Sequence, residues 1–196
     1  MLLEVDDIRL EFLKTDLKFH TQGQKNIFAL KNNKTLGETL DHKRYSGLKN
    51  KFINEYPESL EKDLGSFLFE LKQSENNDYK LFLNAYGDLT YCQFTIAEHL
   101  NEVGLYIFAT VGKIRYLGRC LDSFQNRLNQ GYGKIHPKNC YRDGQSTNCH
   151  LNNLINVNRN ELEFGICIMN SKMAIELERR FLETHSFDWN IQLQKK

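Results

Sequence analysis

The sequence predicts an α+β fold: a small antiparallel β-sheet flanked by helices, preceded by an N-terminal mixed, mainly helical lobe. Three observations predict it. Residues 104–110 and 113–118 are two β-rich runs separated by a turn that contains Gly112, which reads as a hairpin. Ala174, Leu177, Phe181 and Leu182 recur at helical spacing near the end of the chain, as Leu60, Leu64, Phe67, Leu68 and Leu71 do in its first half. The change of pattern near residue 100 divides the chain into a lobe over 1–100 and a second domain over 101–196.

In order along the chain, 27–30 reads as a short strand, and Ser59 as the cap of a helix through Leu71. Residues 74–78 form a polar loop. Thr95-Ile96-Ala97-Glu98 has the capping-box pattern of a short helix reaching about Asn101. Residues 42–51 mix basic and aromatic side chains, as a surface touching a DNA backbone does, and as an ordinary solvated surface also does. In the hairpin, a two-residue loop of Val111 and Gly112 pairs Ile107 with Tyr116 and sets Tyr106 and Tyr116 on opposite faces. A three-residue loop of Thr110, Val111 and Gly112 pairs Tyr106 with Tyr116 on one face. Gly112 suits the left-handed last position of a three-residue loop, so the sequence favours that loop and facing tyrosines. A helix with the stripe Leu121, Phe124, Leu128 then stops at Gly131. Polar chain follows to Thr147, then a helix through Leu151, Leu154 and Ile155, a strand over 162–169, and a last helix from Ser171 to about His185.

The last helix carries an anomaly. Relative to Ala174, its apolar positions fall at steps 3, 7 and 8, and the missing step 4 is Glu178. A carboxylate in the middle of the packing face requires a partner, either a metal or a cation such as Arg127.

The 196 residues include 40% hydrophobic and 26% charged, ordinary proportions for a soluble globular chain. No apolar run approaches the roughly 20 residues that span a bilayer, and the acidic N-terminus lacks the basic region of a signal peptide, so the expected location is cytoplasmic. Five cysteines, an odd number without a C-x-x-C pair, read as reduced thiols. Cys140, Cys149 and His150 match no common zinc spacing. The net charge of +1 does not point to nucleic acid, but residues 112–142 hold seven basic residues and one acidic residue. Such a local patch suits phosphate.

Gly104-Leu105-Tyr106, followed by Tyr116-Leu117-Gly118, resembles the paired motifs of the GIY-YIG nuclease superfamily. Arg127 on the following helix, Glu178 within Leu177-Glu178-Arg179-Arg180-Phe181-Leu182, and the pair Trp189-Asn190 extend the resemblance over about 87 residues, most closely to the type II restriction endonuclease branch. The resemblance implies a GIY-YIG nuclease core over 101–196 that hydrolyses DNA phosphodiesters with one Mg²⁺ or Mn²⁺. It implies that Glu178 holds the metal, that Tyr106 acts as or positions the general base with its pKa lowered by the metal or a cation, and that Tyr116 orients water or phosphate. Arg127 would stabilise phosphate charge and Asn190 support the site. Two places depart from the pattern. Arg127 lies nine residues after Gly118 where many members have eight, and Gly131 stands where many have His or Tyr, leaving Tyr132 or else His136 to fill that place. The stretch 141–148 is similar to a DNA-facing insertion of the restriction branch. Lys113, Arg119, Lys134, Lys138, Arg142, Gln145, Ser146, Thr147 and Asn148 are therefore the expected DNA contacts, with a loop that merely caps the next helix through Thr147 as the alternative. Sequence-specific double-strand cleavage by a homodimer is the expected activity. The alternatives are a nicking nuclease of homing or repair type, and a non-catalytic DNA-binding protein on the same scaffold.

Overall fold

The computed structural model describes residues 1–5 and 7–191. Its strands are β1 (Leu2–Val5), β2 (Ile8–Glu11), β3 (Leu13–Lys14), β4 (Lys18–Gln24), β5 (Tyr91–Thr95), β6 (Gly104–Thr110), β7 (Lys113–Cys120) and β8 (Leu162–Ile168). Its α-helices are α1 (Leu36–Leu40), α2 (Lys49–Glu55), α3 (Leu64–Gln73), α4 (Ser146–Asn158) and α5 (Ser171–Thr184), and a π-helix spans Gln125–Tyr132. None is long and apolar enough to cross a membrane. This is an α+β architecture, but it does not divide by a single cut near residue 100. One unit comprises 1–22, 92–134 and 151–196, and the other comprises 23–91 and 135–150.

The first unit is built on an antiparallel sheet of order β3-β8-β6-β7. β6 is its centre. All seven β6 residues are buried, because the strand is covered on both faces and needs apolar side chains on each. Leu105 and Ile107 point to one face, where Leu117, Ala174, Leu177 and Phe181 join Leu3 and Phe12. Tyr106 and Phe108 point to the other, where they meet Tyr116, Phe124, Leu128, Tyr132, Leu151 and Ile155. β3 pairs with β8 through Leu13 and Ile166, so an N-terminal strand belongs to this sheet, while β1 and β2 pair with each other. Pairing across 150 residues leaves no local signal, which is why the expected boundary at residue 100 is not the observed one.

Asparagine amides stand in for strand partners in this unit. Asn152, fully buried, accepts a hydrogen bond from the Cys92 N–H at 2.9 Å and donates to the Cys92 carbonyl at 2.9 Å and the Tyr132 carbonyl at 2.6 Å. Asn129 does the same for Ile96, accepting at 2.8 Å and donating at 3.1 Å. Thr95 ends β5 and 96–101 is irregular, so the expected capping-box helix there does not form; Asn129 instead satisfies the Ile96 backbone.

The second unit is mainly helical, around Phe28, Leu36, Phe52, Leu64, Phe67, Leu68 and Phe82. Thr35 and Glu38 cap α1 reciprocally. Residues 27–30 form a 3₁₀ turn and not a strand, burying Ile27 and Phe28. The expected Ser59 helix starts later, at Leu64, because Pro57–Ser59 is a separate 3₁₀ turn. The segment 135–150 is stitched into this unit by Asn84, whose amide donates to the carbonyls of Asn139 at 2.6 Å and Tyr141 at 3.0 Å, and by the Tyr141 hydroxyl, which donates to the Phe28 carbonyl at 2.9 Å. All five cysteines are free. Cys140 and Cys149 are buried here with sulfurs 4.0 Å apart, and among the described residues no group of three or more His, Cys, Asp or Glu is placed to hold a metal.

Removing the Asn152 amide strands three buried backbone groups. Asn152→Ala is expected to destabilise the protein by about 2–4 kcal/mol, read as a lowered urea midpoint at unchanged slope.

Candidate functional site

The site begins with the parity of the β6–β7 hairpin. Thr110 pairs with Lys113 across a two-residue turn of Val111 (φ 49°) and Gly112 (φ 73°), the left-handed pair of a type I′ turn. The expected three-residue loop and the direct pairing of Tyr106 with Tyr116 are therefore not found. The tyrosines nevertheless share a face. Ala109 pairs with Ile114 and Phe108 with Tyr116, leaving Arg115 as an extra residue, a β-bulge that reverses the alternation of everything beyond it. Arg115 is fastened on three sides. Its Nε donates to Thr110 Oγ1 at 2.8 Å, its Nη1 pairs with Asp188 at 2.6 Å, and its carbonyl accepts from the Trp189 N–H at 2.9 Å.

Beyond the bulge, Tyr106 pairs with Gly118 and stands diagonal to Tyr116, with ring centroids 5.9 Å apart. Gly118 leaves room for both rings: a Cβ there would lie 2.6 Å from Tyr106 Cζ and Oη and 2.7 Å from Tyr116 Cε1. Gly104, at φ 148°, runs so close to β8 that a Cβ would lie 2.1 Å from the Cys167 carbonyl oxygen. Both motif glycines thus answer to close approaches.

The helix after β7 begins later than its apolar stripe suggests, and Leu121 is 43% exposed outside it. The turns of this helix are wide, ending in a hydrogen bond from the Gly133 N–H to the Leu128 carbonyl, five residues back. This winding brings Tyr132, five residues after Arg127, against it: Arg127 Cζ lies 4.9 Å from the Tyr132 ring centroid. Tyr132, and not His136, therefore joins the cluster. His136 serves its own 3₁₀ turn, accepting from the Lys138 N–H. The three phenols form a chain. Tyr106 donates to Tyr132 at 3.0 Å, Tyr116 and Tyr132 share a hydrogen bond at 3.2 Å, and Arg127 Nε donates to Tyr106 at 3.1 Å. The terminal amino groups of Arg127 have no hydrogen-bond acceptor among the described residues.

Burial, then the neighbouring phenols, push the Tyr106 pKa well above its ordinary value, against the opposing pull of Arg127. Tyr116 is raised in the same way, again mainly by burial. Of the two agents expected to lower the Tyr106 pKa, the cation alone does not do so, because desolvation outweighs Arg127.

Glu178 lies on the sheet-facing side of α5, as the periodicity predicts, with its side chain 14% exposed. Its ion-pair partner is Arg119, at 2.5 Å, and not Arg127. Burial raises its pKa, against Arg119 first and Arg127 second. Glu178 makes no hydrogen bond to the tyrosines among the described residues; it is linked to their cluster through the field of Arg127. A carboxylate at this place could serve Mg²⁺, which commonly takes one or two protein carboxylates and completes its shell with water and phosphate. Asn190 braces the exposed edge of the sheet, accepting from the Leu117 N–H at 3.0 Å and donating to its carbonyl at 2.7 Å.

The expected DNA contacts fall in three groups. Lys113 and Arg119 are engaged by Asp188 and Glu178. Lys134, Lys138, Arg142 and Gln145 are exposed. Ser146 and Thr147 are half-buried in the first turn of α4, past the cap position expected for Thr147. Asn148 is 6% exposed and donates to Gln145 Oε1 at 3.0 Å, so it orders the loop and presents no free edge. Sequence reasoning missed Arg115, Asn129 and Asn152, whose roles depend on partners far along the chain. No protein-family model, curated protein or solved structure matches this chain.

Gly118→Ala is expected to push the two tyrosine rings apart at a cost of about 1–3 kcal/mol, seen as a lowered thermal midpoint and a changed near-ultraviolet tyrosine signal. Because the Glu178 pKa is raised by folding, the native chain holds more protons than the unfolded chain as pH climbs above the ordinary glutamate value, and stability falls through that window. Glu178→Gln removes this dependence. Its stability relative to the wild type is expected to be higher at pH 7 than at pH 4 in paired urea titrations.

Proposed function

We propose that this chain is a metal-dependent endonuclease of the GIY-YIG type that hydrolyses DNA phosphodiester bonds. The observation that carries the reading is the Arg127 guanidinium, held through Nε by Tyr106 and stacked on Tyr132, with its terminal amino groups free and the half-buried carboxylate of Glu178 within range of its charge. Among the described residues no protein acceptor takes these amino groups, and they are not buried away from solvent, so an incoming phosphate oxygen can reach them.

In this reading Arg127 binds the non-bridging oxygens of the scissile phosphate and offsets the charge that grows as the fifth ligand arrives. Tyr106 fixes the plane of that guanidinium and passes the hydrogen-bond chain to Tyr132. It acts as a positioning residue, since a phenol so strongly held in its neutral form is a poor base at neutral pH. Tyr116, the least buried of the three at 6% exposed, is the phenol placed to direct a water or a phosphate oxygen. Glu178 would hold the Mg²⁺ or Mn²⁺, which when bound supplies Lewis-acid neutralisation of the phosphate. Until then Arg119, 41% exposed, balances the carboxylate and can swing into solvent at small cost. Asn190 keeps the motif strand in register. Sequence-specific cutting of both strands, with two protomers supplying two such sites, is part of the same proposal.

The test is incubation of purified protein with plasmid and Mg²⁺. Discrete fragments are expected. Glu178→Ala is expected to cut no DNA while retaining duplex binding in a gel shift without divalent metal. Arg127→Ala should lose at least roughly 10²-fold in rate. Glu176→Ala, exposed on the same helix, should match the wild type. Full cleavage by Glu178→Ala would remove the reading.

A further inference from the structure

The second unit sorts its cations in two ways. Lys49, Lys51, Lys62 and Lys72 each pair with a carboxylate, at 2.7, 2.8, 2.7 and 2.5 Å respectively. Lys25, Lys80 and a group of six, Lys31, Lys34, Lys43, Arg44, Lys138 and Arg142, make no ion pair among the described residues, and all but the half-buried Lys31 are exposed. These six come from two segments roughly 100 residues apart in sequence, and the fold brings the segments together. Arg44 Nη1 donates to the Arg142 carbonyl at 3.1 Å. Beside them, the Tyr45 hydroxyl donates to Asp143 at 2.6 Å. Lys31 Nζ stands 4.9 Å from the centroid of the Tyr141 ring.

The acids of this face are already committed. Asp143 takes the Tyr45 hydroxyl, and Glu38 accepts the Thr35 N–H at 2.8 Å in the cap of α1. Burial disfavours the Lys31 charge, and Lys34 and Lys138 disfavour it further, with Asp143 and Glu38 opposing. Six cations against Asp143 and Glu38, with Asp41 taken up by Lys49, leave an excess of positive charge that a polyanion relieves. The face has little of the apolar centre of a protein interface: exposed Leu30 adjoins Lys31, but none of the large exposed apolar side chains lies within 31–44 or 138–142. Its composition, strongly positive and polar, is that of a nucleic-acid interface. Exposed Gln145 sits on the same loop, with an amide able to reach a base edge.

We propose that this face grips the sugar-phosphate backbone of duplex DNA, making the second unit the DNA-holding part of the molecule. The proposal rests on the nuclease reading for its choice of polyanion, and gives the mainly helical unit the task of affinity.

The test compares two triple variants of the full chain with equal net charge. K34A/K43A/K138A removes unpaired cations of the face, and K49A/K51A/K62A removes paired ones elsewhere in the same unit. Binding to a labelled duplex is measured by fluorescence anisotropy in EDTA over a range of NaCl, with folding checked by circular dichroism. Each lost phosphate contact lowers the salt slope by about 0.9, so the first variant should lose roughly 2–3 in slope and at least tenfold in affinity near 0.1 M salt. The second should stay within about twofold of the wild type. Equal behaviour of the two variants overturns the proposal, as does a wild-type protein that binds poly-glutamate more tightly than duplex, or double-stranded RNA more tightly than DNA. The two readings fail separately. Wild-type cleavage with undiminished binding by K34A/K43A/K138A removes this face and leaves the nuclease. Selective loss of binding, in a protein that leaves plasmid intact at every metal tested, removes the nuclease and leaves the face.

Discussion

A single extra residue in β7 governs the chemistry that the sheet can present. Side chains alternate along a strand, so one residue added between the turn and Tyr116 exchanges the faces of Tyr116, Gly118 and Arg119 together. With Arg115 bulged, both tyrosines meet on the face covered by the π-helix, and Arg119 emerges on the face of α5, opposite Glu178. Without it, Tyr116 would lie under α5 and Arg119 among the phenols. The bulge is held by Thr110, Asp188 and the backbone of Trp189, which are also the residues that tie the end of the chain to the sheet. The C-terminal aromatic-asparagine pair thus does structural work at the same strand: Trp189 secures the bulge, and Asn190 secures Leu117, between Tyr116 and Gly118.

Around that constraint the polar groups are arranged at the expense of stability. Three phenols and a guanidinium share a mostly apolar layer, and their hydrogen bonds are internal to the cluster. Such a network rigidifies when every member is satisfied and weakens the core when one is not. Arg127 turns its terminal amino groups to solvent, and Glu178 keeps a raised pKa because burial outweighs Arg119 and Arg127. An ordinary core would place Leu or Met at either position.

Much of this was legible in the sequence, and for identifiable reasons. The strands β6, β7 and β8 and the helix α5 are long, periodic and bounded by their own caps, so local pattern suffices. The misplacement of Glu178 is visible as a gap in a helical stripe. The convergence of Tyr106, Tyr116 and Arg127 follows once the hairpin faces are known, yet the sequence reached the shared face through the wrong loop, because a bulge has no compositional mark. The π-winding that recruits Tyr132 is equally silent in composition. What stayed out of reach depends on distant pairs: β3 with β8, Asn152 with Cys92, Arg44 with Arg142.

The two units are interleaved along the chain. It leaves the first unit after residue 22, returns at 92, leaves again after 134 and returns at 151. No single crossover in a gene could therefore exchange one unit for another. A fragment cut at residue 100 would lose Leu3 and Phe12 from the layer beneath Leu105 and Ile107, while keeping a loop whose anchoring Asn84 had gone. Inheritance of the mainly helical unit must proceed by two coordinated insertions, or by gradual drift of both segments in place. Its surface is free to diversify only along the paths that keep 23–91 and 135–150 fitted to each other.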